Sequence, residues 1–343
     1  MKQYLGCDRK IAIVGATGNV GRLTLQLLLQ RGVVPKESII TFASAASAGQ
    51  TLEILGTSFV LQELKEDALA QASLWGFNTE AEVSQQWVPK ILSVGGRVAD
   101  SSSYYRQDPK VPLIVGPVNL ADAKDARLCA LANCISSPLM CVLKPLMPLG
   151  IKVLRISTFQ STSGAGKRAM EGFLQETKLF MGAMGGCVES AKALGSMPFY
   201  LGRPIAFNVL PQVGEFDAQG YCSEENKILS EIQKVLDGKL KISVTTVRVP
   251  VLVGHCSDFT IQFQEDVGLN QVRSLLEGNS FLKVSDDIVA PQEVVGKEQV
   301  FISRLRTVKG FSEEIKMWVA SDNLRRGAAL DTVEVLEYLW KQY

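Results

Sequence analysis

Ile11-Ala-Ile-Val14 is a short apolar run without polar alternation, the pattern of a strand buried on both faces of a parallel sheet. Gly15-Ala-Thr-Gly18-Asn-Val-Gly21 follows at once, and Leu23, Leu25, Leu27, Leu28 and Leu29 continue as a helix that should stop at Gly32. Strand, glycine turn and helix form the opening unit of a dinucleotide-binding fold. Ile39–Ala43 falls where the next strand of that fold belongs. Apolar segments at Leu74–Phe77, Val98–Ala99, Leu113–Val115 and Leu128–Ala132 alternate with helical stretches, which predicts a doubly wound α/β sheet.

Past Cys134 the texture changes. A helix is expected around Leu139–Leu149, then a strand at Val153–Phe159, the loop Ser161-Thr-Ser-Gly164-Ala-Gly166 and a long helical stretch. Lys227–Leu236 reads as an amphipathic helix. Ile242–Val253, Phe259–Phe263, Val300–Leu305 and Ile315–Val319 are rich in β-branched and aromatic residues and read as strands. This mixture predicts an α+β second domain. The expected division is a Rossmann-type dinucleotide-binding domain over 1–132 and a catalytic and dimerisation domain over 133–322. A single amphipathic helix over 323–343 is expected to pack back on the first domain.

Composition narrows the function. A chain of 343 residues, 46% hydrophobic, can fill two cores, and a formal net charge of +1 offers no footprint for a nucleic-acid backbone. Seven cysteines at irregular spacing, without a Cys-x-x-Cys, point to reduced thiols in a cytoplasmic protein. With one histidine, no zinc or other metal site is expected. The first ten residues show no signal-peptide pattern, and no apolar run is long enough to span a bilayer.

Three features could carry chemistry. The glycine turn lets backbone approach a ligand, and the helix behind it offers N–H groups to a phosphate; the alternative is a tight turn without a ligand. No acid follows the second strand to hold a ribose hydroxyl, only Ser44 and Ser47, which suits NADP better than NAD. Cys134 precedes Ile135-Ser-Ser-Pro138, a helix start, where a thiol is favoured as thiolate and neighbouring N–H groups could hold an oxyanion. A buried inert cysteine is the plainer alternative. His255, the sole histidine, has the side chain best suited to moving a proton near neutral pH, or it is a strand residue that only hydrogen-bonds.

These residues sit in a wider set of motifs. Asp100-Ser-Ser-Ser-Tyr-Tyr-Arg106, Asn133-Cys134, Thr158-Phe-Gln160-Ser-Thr-Ser163-Gly-Ala-Gly-Lys, Ile205-Ala-Phe-Asn-Val-Leu-Pro-Gln and Arg248-Val-Pro-Val-x-x-Gly-His255 accompany the glycine turn. With them the chain resembles the aspartate-semialdehyde dehydrogenase family from Ile11 to the last helix. The resemblance implies a glyceraldehyde-phosphate-dehydrogenase-like architecture, a homodimer, and reduction of β-aspartyl phosphate to aspartate semialdehyde. In the family that step feeds lysine, diaminopimelate, methionine and threonine synthesis. It makes Cys134 the thioester nucleophile, His255 the acid/base and Gln160 the residue that orients the acyl group. Arg248 would hold the substrate carboxylate, Glu224 the ammonium, Arg106 and Lys227 the phosphate, and Asn133, just before the nucleophile, would also bind substrate or phosphate. Cofactor contacts are implied at Gly15, Thr17, Gly18, Asn19, Val20, Ser44, Ser47, Ser163, Gly164 and Asp331. From spacing alone, Glu224 and Lys227 read equally as an exposed helix pair.

The chain also departs from the family pattern. Leu131-Ala and Ile135 replace the residues usually flanking Asn133-Cys134, and Ala46 and Gln50 stand where arginine and often another cation grip the NADP 2′-phosphate. Asn78-Thr-Glu-Ala81 replaces a glycine-bearing turn, and Asp331 stands where an asparagine usually meets the nicotinamide end. NADP is therefore the expected cofactor, with NAD also accepted. An N-acetylglutamyl-phosphate reductase-like enzyme and a catalytically silent paralogue acting as a binding partner are the alternatives.

Overall fold

The structure is a computed structural model describing residues 9–183, 199–236, 238 and 240–342. It divides into two compact units, one taking the chain up to Met140 together with Leu324 onward, the other Cys141–Asn323.

The first unit is built on an eight-stranded sheet. Its strands are β1 (Ile11–Val14), β2 (Ile39–Ala43), β3 (Thr51–Ile54), β4 (Thr57–Glu63), β5 (Leu74–Phe77), β6 (Arg97–Asp100), β7 (Leu113–Ile114) and β8 (Leu128–Leu131). The order is β3-β4-β2-β1-β5-β6-β8-β7, and every pairing except β3 with β4 is parallel. Strands β1, β5 and β8 are buried at every position, which is why they appear as continuous apolar runs. The chain leaves β1 toward β2 on one side and finds β5 on the other, so β1 ends at the switch point where such sheets bind ligands.

One feature of this unit goes unannounced by the sequence pattern and one expectation fails. The β3–β4 hairpin is absent from the sequence reading because Leu55-Gly56 forms its turn with positive φ at both residues, 49° and 74°, a conformation normally signalled by Asn-Gly or Asp-Gly. The C-terminal segment is not one helix from Asn323. Arg326 is extended and Gly327 has φ 87°, so the helix proper is Leu330–Trp340. Nor is it amphipathic: Leu330–Val333, Val335–Glu337 and Leu339 are all buried, and Leu336 and Thr332 lie against β5 where Gly76 leaves room for them.

The second unit carries a six-stranded mixed sheet in the order β10-β9-β11-β14-β13-β12. Its strands are β9 (Ile151–Gln160), β10 (Lys241–Arg248), β11 (His255–Phe263), β12 (Leu282–Val284), β13 (Val300–Val308) and β14 (Phe311–Ser321). Strand β10 stops at Arg248 rather than Val253. Pro250 has no N–H for a ladder, and Gly254 turns the chain with φ 97° into β11. Gln160 and Arg248 are register partners at the carboxyl ends of β9 and β10, and His255 opens the neighbouring β11. Three polar side chains thereby come to one end of the sheet. The helix expected at Lys227 begins one turn earlier, at Ser223, which puts Glu224 in its first turn.

Candidate active site

In the first unit the glycine turn closes β1 onto the helix Asn19–Arg31. Gly15 has φ 80°, and a Cβ there would stand 2.3 Å from the Asn78 carbonyl oxygen. A Cβ on Gly21 would stand 2.1 Å from the carbonyl oxygen of Gly15. Side chains are thus excluded at both positions, and Thr17 and Gly18 lie exposed where the helix begins, with Asn19 and Val20 half-buried behind them. Backbone N–H groups at a bare helix start fit a dinucleotide pyrophosphate. At the end of β2, Ser44 and Ala46 are exposed and Ser47 is half-buried. Gln50 Nε2 donates to the Ala46 carbonyl at 3.0 Å.

Cys134 lies between β8 and the helix Ser136–Leu146. Asn133 shapes this turn: its Oδ1 accepts from the Ile135 N–H at 2.9 Å, and its carbonyl accepts from the Ser137 N–H at 2.9 Å. Two of the N–H groups expected to receive an oxyanion are therefore committed to Asn133. The Cys134 thiol is half-buried, whereas Cys129, Cys141, Cys222 and Cys256 are buried. Burial pushes the Cys129 and Cys256 thiols up to about 12. Cys7 and Cys187 lie outside the described residues. Arg106 is buried, and its Nη2 donates to the Ser101 carbonyl at 2.6 Å.

The second unit carries its own group of polar residues. His255 is 1% exposed; its Nδ1 lies 3.0 Å from both the N–H and the hydroxyl of Ser161. The Ser161 carbonyl accepts from Arg248 Nη1 at 2.7 Å, so one serine holds both residues. Burial, reinforced by the Arg248 guanidinium, holds His255 well below its usual range. Gly164 passes so close that a Cβ there would stand 2.9 Å from His255 Nε2 and 3.0 Å from Arg248 Nη1. Glu224 is buried rather than exposed. Its Oε1 accepts from Gln160 Nε2 at 3.0 Å, and Oε2 pairs with Lys227 Nζ at 3.2 Å. Burial pushes this carboxyl up, but Lys227, Gln160 and Arg248 outweigh it and hold Glu224 below the ordinary carboxylate range.

The comparisons with known proteins fit this geometry. Residues 10–126 match the family model described as semialdehyde dehydrogenase, NAD binding domain, and residues 143–326 match semialdehyde dehydrogenase, dimerisation domain. An aspartate-semialdehyde dehydrogenase of Rickettsia bellii is 37% identical over 97% of this chain and 98% of its own length. The chain belongs to the aspartate-semialdehyde dehydrogenase family. The enzyme of this name from Aquifex aeolicus is 35% identical over the same shares. The crystal structure of aspartate semialdehyde dehydrogenase II from Vibrio cholerae is 30% identical, covers 98% of this chain and all of its own, and superposes with a TM-score of 0.87; a second structure of it is described as complexed with ASA.

Within this aspartate-semialdehyde dehydrogenase, some of the residues expected at the site lie in the first unit and the others in the second. Four others were not legible as site residues. Ser161 sits inside a recognised motif, yet its bridging of His255 and Arg248 depends on the register of three strands. Asn323 accepts through Oδ1 from the hydroxyls of Ser161 and Ser163 and from the Gly254 N–H, at 3.0–3.2 Å. It stands 160 positions from Ser163, and no local pattern announces it. Ser163 is accordingly buried and engaged, while Gly164 is exposed. Arg326 and Glu334 form ion pairs around Asp331, which is fully buried. Among the described residues, no cluster of histidine, cysteine or acids could hold a metal ion, and no helix is long and apolar enough to cross a membrane.

Proposed function

We propose that this enzyme converts β-aspartyl phosphate to aspartate β-semialdehyde and phosphate through a thioester on Cys134, using NADPH by preference and accepting NADH, and that it works as a homodimer. The single observation that carries the substrate assignment is Glu224, buried and kept anionic between Gln160 and Lys227. A buried carboxylate of this kind suits a substrate ammonium. Arg248, aimed by the Ser161 carbonyl, takes the substrate carboxylate. The dimerisation-domain match supports the homodimer.

The Cys134 thiolate forms a bond to the acyl carbon, and the bond from that carbon to the phosphate oxygen breaks. Phosphate leaves with the electron pair toward Arg106 and Lys227. Gln160, fixed by Glu224, orients the acyl group. When bound on the glycine turn, with Thr17, Gly18, Asn19 and Val20 at the helix start, the nicotinamide cofactor supplies the hydride. His255, neutral and accepting from the Ser161 N–H at Nδ1, donates a hydrogen bond from Nε2–H to the oxyanion left by hydride addition, which collapses to the aldehyde as the carbon–sulfur bond breaks and its electron pair returns to the Cys134 sulfur.

Phosphate-dependent reduction of NADP by aspartate semialdehyde tests the reading. Cys134→Ser should abolish it while leaving cofactor affinity unchanged. Turnover by that variant, or a rate indifferent to phosphate, would sink the mechanism. Sedimentation of the purified protein tests the dimer.

A further inference from the structure

The resemblance places Asp331 at the nicotinamide end, but its carboxylate is used elsewhere. Oδ2 accepts from Ser137 Oγ at 2.7 Å and from the Gly327 N–H at 3.0 Å, while Oδ1 meets Arg326 Nη1 at 2.6 Å. Arg326 reaches on to Glu334 with a forked pair at 2.8 and 3.0 Å. Both partners of the central pair are buried, Arg326 at 3% and Asp331 at 0%. Ser137 stands in the first turn of the helix that follows Cys134. Gly327 backs Cys134 so closely that a Cβ on it would lie 2.5 Å from the Cys134 Cα. One carboxylate therefore ties together the helix start in front of the nucleophile and the glycine behind it. The next residue, Thr332, places its hydroxyl 3.3 Å from Asn78 Oδ1, and Asn78 is the residue whose carbonyl underlies Gly15. Successive residues at the start of the C-terminal helix thus brace the nucleophile turn and the cofactor turn. A buried carboxylate in this place needs a cation, and Arg326 provides it.

We infer that Asp331 and Arg326 are positioning residues for Cys134, holding its thiol at the amino end of the helix Ser136–Leu146, and that Asp331 is not a cofactor ligand. The inference rests on Cys134 being the nucleophile. Its consequence is that the reactivity of the thiol depends on an ion pair that touches neither substrate nor cofactor. Loss of Arg326 slackens the turn, and a thiol no longer held at the helix start has its pKa raised.

The experiment is alkylation of Cys134 by iodoacetamide as a function of pH, alongside steady-state kinetics and NADP titration. Arg326→Met should move the alkylation midpoint up by about half a pH unit or more. It should lower kcat by about tenfold or more while NADP Kd stays within about twofold. Arg326→Lys, which keeps the charge, should recover most of both losses. Should Arg326→Met fail to fold, Ser137→Ala removes one link and no charge; it should slow alkylation at fixed pH and lower kcat with NADP Kd unchanged. A lower Tm with alkylation and kcat unmoved would reduce the cluster to a structural role and overturn the inference. So would an Asp331→Asn variant that weakens NADP binding without touching alkylation. Turnover by Cys134→Ser would instead remove the nucleophile assignment itself, a result the alkylation midpoint does not depend on.

Discussion

Gly164→Ala adds one methyl group at the point where two functional side chains meet. The backbone of Gly164 lies outside the left-handed region, so alanine brings no conformational strain. The new Cβ would stand 2.9 Å from His255 Nε2, 3.0 Å from His255 Cε1 and 3.0 Å from Arg248 Nη1. Ordinary contact distances require each group to retreat by about half an ångström. Neither can do so easily. His255 Nδ1 is held at 3.0 Å by Ser161, and Arg248 Nη1 is held at 2.7 Å by the Ser161 carbonyl. Overpacking of this kind costs about 1–3 kcal/mol. Expressed on the productive arrangement, that is roughly a fivefold to 150-fold fall in kcat/KM, at tenfold per 1.36 kcal/mol. Steady-state reduction of NADP with aspartate semialdehyde and phosphate measures it. Both KM and kcat should suffer, because the proposed function has Arg248 hold the substrate carboxylate and His255 act at the reacting oxygen. Gly164 was also expected to meet the cofactor, so NADP titration belongs in the same experiment. Wild-type kcat/KM, or a loss accounted for wholly by NADP Kd, would refute the claim that this glycine exists to admit His255 and Arg248.

Two further outcomes follow from charge. Because burial and Arg248 hold His255 below its usual value of 6.5, the unfolded chain takes up a proton on acidification that the folded chain refuses. The stability tied to this site is complete above about pH 6.5 and declines as pH falls below it. Tm should therefore fall more steeply between pH 7 and 5 for the wild type than for His255→Gln, and parallel curves would contradict the assignment. At the adenosine end, Ala46→Arg restores a charge-assisted phosphate contact of about 1.5–3 kcal/mol, so the KM for NADPH should improve about tenfold or more with NADH little changed. A wild type already favouring NADPH a thousandfold would show that another cation serves the phosphate.

The parallel sheet was legible because its central strands are buried on both faces, so Ile11–Val14 and Leu74–Phe77 stand out as unbroken apolar runs. Apolar character misled where backbone chemistry decided instead. Val249–Val253 looks like more strand, but Pro250 and Gly254 end it. The Leu55-Gly56 turn hides a hairpin because leucine seldom accepts positive φ. The C-terminal segment reads as one helix because its break at Arg326-Gly327 answers to Asp331 and to the Cys134 backbone, neither of which is visible locally. Motifs could name Cys134, His255, Gln160 and Arg248. They could not show that Ser161 and Asn323 lock His255, Arg248 and Gly254 together, since those bonds join residues 69 to 162 positions apart.

The departures from the family pattern differ in physical kind, and that difference bears on what they change. After β2 the turn is closed by its own bonds: the Ser47 N–H to the Ser44 carbonyl at 2.9 Å, the Ala48 N–H to the same carbonyl at 3.1 Å, and the Gln50 side chain to the Ala46 carbonyl. Its shape needs no bound phosphate, so replacing arginine by Ala46 removes charge and leaves geometry in place. On the proposed function, the effect belongs to cofactor choice. Asn78 is another matter, because its side chain lies within hydrogen-bond distance of Thr24, Ser101 and Thr332, and its carbonyl fills the space a Gly15 side chain would take. Asp331 likewise brings Arg326 with it. Asp331 is buried and Asn78 half-buried, and the partners of each must be present together, since a buried polar group left unmatched costs more than the pair returns. Such groups change as sets. That is why Asp331 alone looks like a damaged cofactor contact in the sequence, whereas in the structure Asp331 with Arg326, Ser137 and Gly327 is a bonded set beside the Cys134 turn.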